Sequence, residues 1–171
     1  MPPFQQGTFD KLCGLYALIN ASRLAVPKLT EAQCEQAYTE AVQWIGEQQN
    51  PSDILRNGLN VNQLQSIHSH VLQPRWRTSL HKPFWTIQYR PNDKKFWEWM
   101  DREVRRPHQG ILISIAGRMD HWSVVRDITP KSIMLFDSHN LQSLRRTICA
   151  TSEQPRNSHI IEPRYVLVIT G

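Results

Sequence analysis

The apolar periodicity of this chain changes character near Pro107. Before it, apolar residues recur mostly at helical spacing, and after it they gather in short β-branched runs. Over residues 13–24 the apolar face is Leu15, Leu18 and Ile19, continued by Ser22, with Ala17 and Ala21 suited to close packing and Pro27 closing the segment. Residues 31–48 follow Thr30 as N-cap and present Ala37, Tyr38, Ala41, Trp44 and Ile45, with Cys34 in phase. Asn50-Pro51-Ser52 and Asn57-Gly58 then predict a loop. A shorter helix over 61–71 follows Asn60, with Val61, Leu64, Ile67 and Val71 as its stripe. A fourth helix spans 93–106 with Phe96, Trp97, Met100 and Val104. One aromatic and β-branched run, residues 83–89, reads as a strand in this helical half. Strands are then predicted over 110–116, 121–128, 132–137 and 165–169, with hairpin-like connections at 117–120 and 129–131. Helices first and sheet afterwards predict an α+β fold, with a C-terminal antiparallel sheet.

The 171 residues suffice for one domain, 1–171, with its own core, and 40% hydrophobic content excludes a disordered chain. The apolar runs fall far short of the roughly 18 residues of a membrane span, so no membrane partner is expected. The net charge is +5 and the sequence pI about 9.4. The basic residues are scattered (Arg75/Arg77, Arg102/Arg105/Arg106, Arg145/Arg146), which fits a solvated basic surface better than a nucleic-acid footprint. The three cysteines, Cys13, Cys34 and Cys149, form no CxxC pair. That argues against structural zinc, and the odd number with wide spacing argues for a reducing compartment. No cofactor is expected. The first residues lack the basic and apolar segments of a secretory signal, so the expected location is cytoplasmic, with any export by another route.

Three residues suggest chemistry. Cys13 stands where the chain enters its first helix, followed by Gly14, and the positive end of a helix dipole favours a thiolate. Gly14 would let another backbone or a substrate approach closely. His121 opens a strand just after a turn and would be rigidly held, in reach of a thiol proton. Asp137 ends the next strand, where a carboxylate could orient an imidazole. Each residue alone has a plainer reading: a packed cysteine, a structural strand histidine, a turn-capping aspartate. Asp120 reads as a turn residue, since successive strand side chains point to opposite faces. Trp122 and Trp85 could line a groove or pack a core. His68 and His70, two apart on a helix, do not share a face. The role of Cys149 stays open.

Taken together, Gln6, Cys13-Gly14, Asp120-His121-Trp122-Ser123-Val124-Val125 and Asp137 resemble the papain-like cysteine peptidases. They are most similar to the compact leader-peptide peptidase domains of bacteriocin exporters. The motifs cover residues 6–14 and 120–137, while the predicted element order covers the whole chain. The resemblance implies a papain-like α+β fold, with the nucleophile on the first helix, and a Cys13, His121, Asp137 triad. It also makes Gln6 an oxyanion donor beside the Cys13 amide, with Gln5 as its neighbouring alternative. Asn140 is the alternative third member. Ser138 stands where the family often has Pro, a departure that leaves the chemistry untouched.

The reaction so implied is peptide-bond cleavage in an intracellular protein. Transglutaminases and glutamine deamidases use the same triad order, a peptidoglycan amidase is a third variant, and a non-catalytic peptide-binding domain would usually have lost the cysteine. With the nucleophile at residue 13, no inhibitory prosegment is expected. The chain thereby resembles papain-like toxin domains of bacterial effectors, which are delivered into rival cells and restrained by an immunity protein. Type II DNA topoisomerases are the candidate target so implied.

Overall fold

Helix α1 (Cys13–Ala25) is buried along nearly its whole length, with Leu15, Leu18 and Ala21 fully enclosed. It is followed by α2 (Glu31–Gln48), which starts in a reciprocal cap: the Thr30 hydroxyl accepts from Gln33 N at 3.3 Å and Gln33 Oε1 from Thr30 N at 2.9 Å. The computed structural model describes residues 2–7, 10–48, 50–85, 93–153 and 159–171. Where a loop was expected, residues Pro51–Asn57 form α3. Asn50 caps it by accepting from Ser52 N at 3.0 Å, and Pro51 occupies the first turn, where no amide is needed. Helix α4 (Val61–Ile67) starts in a full Asn60/Gln63 capping box. It does not run on to Val71 as an α-helix. It passes through a π-helical turn, His68–Leu72, into α5 (Gln73–Trp76), which keeps Val71 and Leu72 buried. Helix α6 (Asp93–Glu103) stops short of Arg106.

The strands are β1 (Ser79–His81), β2 (Gln109–Gly117), β3 (His121–Ile128), β4 (Ser132–Leu135), β5 (Ser143–Arg145), β6 (Cys149–Ala150), β7 (His159–Ile160) and β8 (Leu167–Thr170). They form an open sheet in the order β1-β8-β2-β3-β4-β5, antiparallel along that path, while β7 joins β2 and pairs in parallel with β6. The protein is therefore α+β. The strand expected over 83–89 is not seen at its start: Pro83 and Phe84 form a turn, and residues 86–89 lie outside the described residues. Asp137 lies two residues beyond the end of β4 instead of within it.

The central strands are buried on both faces. Leu112, Trp122, Val124, Leu167 and Ile169 pack with α1, α2 and α4. Ile111, Ile113, Ile115, Val125 and Val168 pack with Phe96, Trp97 and Met100 of α6 on the other side. Each large aliphatic side chain so enclosed contributes about 1.5–3 kcal/mol. Helix α1 seats tightly on β2, because a Cβ at Gly110 would lie 2.2 Å from the Ala21 carbonyl oxygen. That seat sets the height of Cys13 above the sheet, and the β2–β3 pairing, Ile115 opposite His121, sets the position of the histidine.

Candidate active site

Cys13 is the first residue of α1. Its N-cap, Leu12, offers no side-chain hydrogen bond, so no cap consumes the amides at this helix start. The Cys13 Sγ accepts the backbone N–H of Trp122 at 3.5 Å. Gly14 permits the close approach of side chains: a Cβ there would meet Leu64 Cδ2 at 3.1 Å and Trp122 Cδ1 at 3.2 Å.

His121 opens β3, and its Nε2 lies 2.6 Å from Asp137 Oδ2. Phe136 N donates to Val124 O at 2.8 Å, which extends the β3–β4 pairing and delivers Asp137 to its place. The carboxylate is saturated. Oδ1 accepts the amides of His139 at 2.7 Å and Leu141 at 3.1 Å, while Oδ2 also accepts the Ser123 hydroxyl at 2.6 Å. Burial pushes the Asp137 carboxyl upward, but the bonds from His121, Ser123 and the His139 amide outweigh it and hold it below the usual range. Burial likewise lowers His121, yet hydrogen bonds to Asp137 and Cys13 carry it up to about 9. With Nε2 engaged by Asp137, Nδ1 is the nitrogen left to serve Cys13.

A raised imidazole binds its proton more tightly in the folded state than unfolded. Its contribution to stability is complete below the ordinary histidine value of 6.5 and is lost as pH rises through about 9. An NMR titration of His121 should show a midpoint near 9. In Cys13→Ala it should fall towards the ordinary value. An unchanged midpoint in that variant would mean that the sulfur does not engage the ring.

Ser123 was not anticipated from sequence. It follows His121 by two residues on the same strand, so their side chains share a face, and that alternation was the available signal. Gln6 lines the same cleft as Cys13 and His121, with its Nε2 donating to Asp10 O at 2.5 Å. Gln5 instead is exposed and donates to Asp137 O at 3.1 Å, away from the cleft. Asn140 is exposed, with φ 59°, and Asp137 holds the nitrogen it would need. Of the alternatives, the structure places Gln6 on the cleft that Cys13 and His121 line, and Asp137 against His121.

The cleft has a volume of about 880 Å³. One wall comes from α3, α4 and their connection, including Ile54 and Leu59; Met119, Leu141 and Tyr165 line it elsewhere. Trp122 belongs both to the helix-side core and to the cleft, and its Nε1 donates to Leu59 O at 2.9 Å. Trp85 and the exposed Asp120 also line the cleft. His68 is buried against Thr78 at 3.0 Å, and burial lowers it to about 4. His70 bonds Ser66 O at 2.8 Å and stacks on Trp44. All three cysteines are free and buried, and burial raises the Cys149 thiol to about 11. Among the described residues no group of three or more His, Cys, Asp or Glu could hold a metal ion, and no helix is long and apolar enough to cross a membrane.

The arrangement sets a thiol and an imidazole on one cleft, with the imidazole held by a buried carboxylate. In comparisons with known proteins, no family model, no curated protein and no solved structure matches this chain.

Proposed function

We propose that this chain is a papain-like cysteine protease that cleaves peptide bonds of an intracellular protein. The observation that carries the reading is the placement of Cys13 and His121 on one cleft, with His121 Nε2 held 2.6 Å from the buried Asp137 carboxylate. In this reading Cys13 Sγ attacks a peptide carbonyl carbon. The oxyanion rests between the Gln6 side-chain amide and the Cys13 N–H. His121 gives its proton to the leaving amine, and water, deprotonated by the same imidazole, releases the acyl group and restores the thiol. Asp137 keeps the imidazole oriented and favours its charged form. Within this proposal the protein acts as an effector in a target cell, restrained by an immunity protein, with a type II DNA topoisomerase as candidate substrate.

The test is mass spectrometry of a bacterial lysate treated with wild-type protein or with Cys13→Ala. New protein N-termini that require Cys13 are the expected result. Glutamines gaining about one dalton in their place would make the enzyme a deamidase by the same acyl chemistry. Expression of the wild type in bacteria should slow growth relative to Cys13→Ala, and equal growth would remove the effector reading.

A further inference from the structure

The residues ahead of α1 run back along it. Pro2 O accepts Arg23 Nη1 at 2.9 Å, and the guanidinium lies 4.2 Å from the centre of the Phe4 ring. Phe4 N donates to Asn20 Oδ1 at 2.9 Å, and Asn20 Nδ2 donates back to Phe4 O at 3.2 Å. Gln6 then reaches the cleft that holds Cys13. At the far end the segment turns to the loop bearing the carboxylate, where Gln6 N donates to Ser138 O at 2.8 Å and Gln5 Nε2 to Asp137 O at 3.1 Å.

Asn20 is fully buried on α1, and burying an amide there is unfavourable unless its bonds are made. Both atoms of that amide are satisfied by one residue, Phe4, so the side chain serves as an edge on which the N-terminal segment is hung. Arg23, 8% exposed, makes no ion pair among the described residues and spends its charge on a carbonyl and a ring of the same segment. The Gln6 Oε1, also buried, has no partner among the described residues, so the carboxamide is held through Nε2 and its own backbone. Its placement depends on the segment that carries it.

We propose that residues 2–7 are a strap that positions the Gln6 amide for the oxyanion, and that Asn20 is the positioning residue that sets the strap. This rests on the acyl-transfer reading of Cys13.

The probe is p-nitrophenyl acetate in single turnover. The thiolate forms a thioester bond to the acetyl carbon, the ester C–O bond breaks, and p-nitrophenolate leaves with the electron pair. Gln6→Ala should slow acylation of Cys13 by about 10²–10³-fold. Asn20→Leu, similar in volume but without the amide, should slow it by about tenfold to a hundredfold, with the half-saturating probe concentration little changed. Phe4→Pro, which removes the strap's N–H and its ring against Arg23 while leaving every residue of α1 in place, should act in the same direction. The double variant Asn20→Leu/Gln6→Ala should be no slower than Gln6→Ala alone. Alkylation of Cys13 by iodoacetamide, which forms no oxyanion, should keep its wild-type rate throughout.

Losses that multiply in the double variant would overturn the strap's role and leave the enzymatic reading standing. An equal fall in iodoacetamide alkylation would do the same, by making Asn20 merely structural. Should Asn20→Leu fail to fold, an unslowed Phe4→Pro would overturn the strap. A wild-type Cys13 that is not acylated at all would overturn the acyl-transfer reading, and the strap's role with it.

Discussion

Turnover should disappear in Cys13→Ala and in His121→Ala, each by a factor on the order of 10⁶, and the double variant should be no worse than either. In the proposed mechanism the two act as one unit, the sulfur forming the acyl bond and the ring giving its proton to the leaving amine. Both variants should keep their fold. Cys13 loses one buried sulfur atom, and His121 sits at the start of its strand. Asp137→Ala should cost less, about 10⁴, but it should also destabilise the protein, because it strands the Ser123 hydroxyl and two loop amides. Steady-state kinetics with circular dichroism of each variant checks the set. Near-wild-type activity in Cys13→Ala or His121→Ala would remove that residue from the mechanism.

Gly110→Ala should destabilise the protein more than any other single-methyl addition described here. The new Cβ would lie 2.2 Å from the Ala21 oxygen and 2.6 Å from its carbonyl carbon. Both obstacles are backbone atoms, so no side-chain rotation relieves them, and α1 must lift from β2. Overpacking of this kind costs about 1–3 kcal/mol and occasionally more, and each kcal/mol lowers Tm by about 2–4 °C in a chain of this size. Activity should fall as well, because the helix that lifts carries Cys13. Calorimetry and a rate measurement on the same sample test both. A Tm within about 1 °C of wild type would mean that α1 is not seated on Gly110.

Periodicity makes long elements legible and short ones invisible. Residues 31–48 and 121–128 were predicted with the bounds that the structure gives α2 and β3, since each repeats its pattern several times. Helix α3 has seven residues and one buried side chain, Ile54, too few to establish a stripe, and Pro51 reads as a breaker unless Asn50 is recognised as its cap. Strands β5, β6 and β7 are two or three residues long and owe their state to their partners. The π-helical turn at 68–72 leaves the apolar stripe almost unaltered, so sequence reads straight through it. Cys13 and His121 were readable because each opens an element, and Asp137 because it closely follows one. Ser123 and Asn20 were not, because each lies inside its element and takes its role from the partner that folding brings to it, Asp137 for Ser123 and Phe4 for Asn20.

The bond from the Trp122 indole to the Leu59 carbonyl gives the cleft a fixed gauge. It ties the α3–α4 connection to the residue after His121. Parting these elements would leave a buried N–H and a buried C=O without partners, a cost of about 1–3 kcal/mol for each. On this side the cleft behaves as a slot cut to width and not as jaws that close. The wall built from α3 and α4 and the strand that carries His121 are therefore joined as one piece, and the cleft keeps its shape along this side.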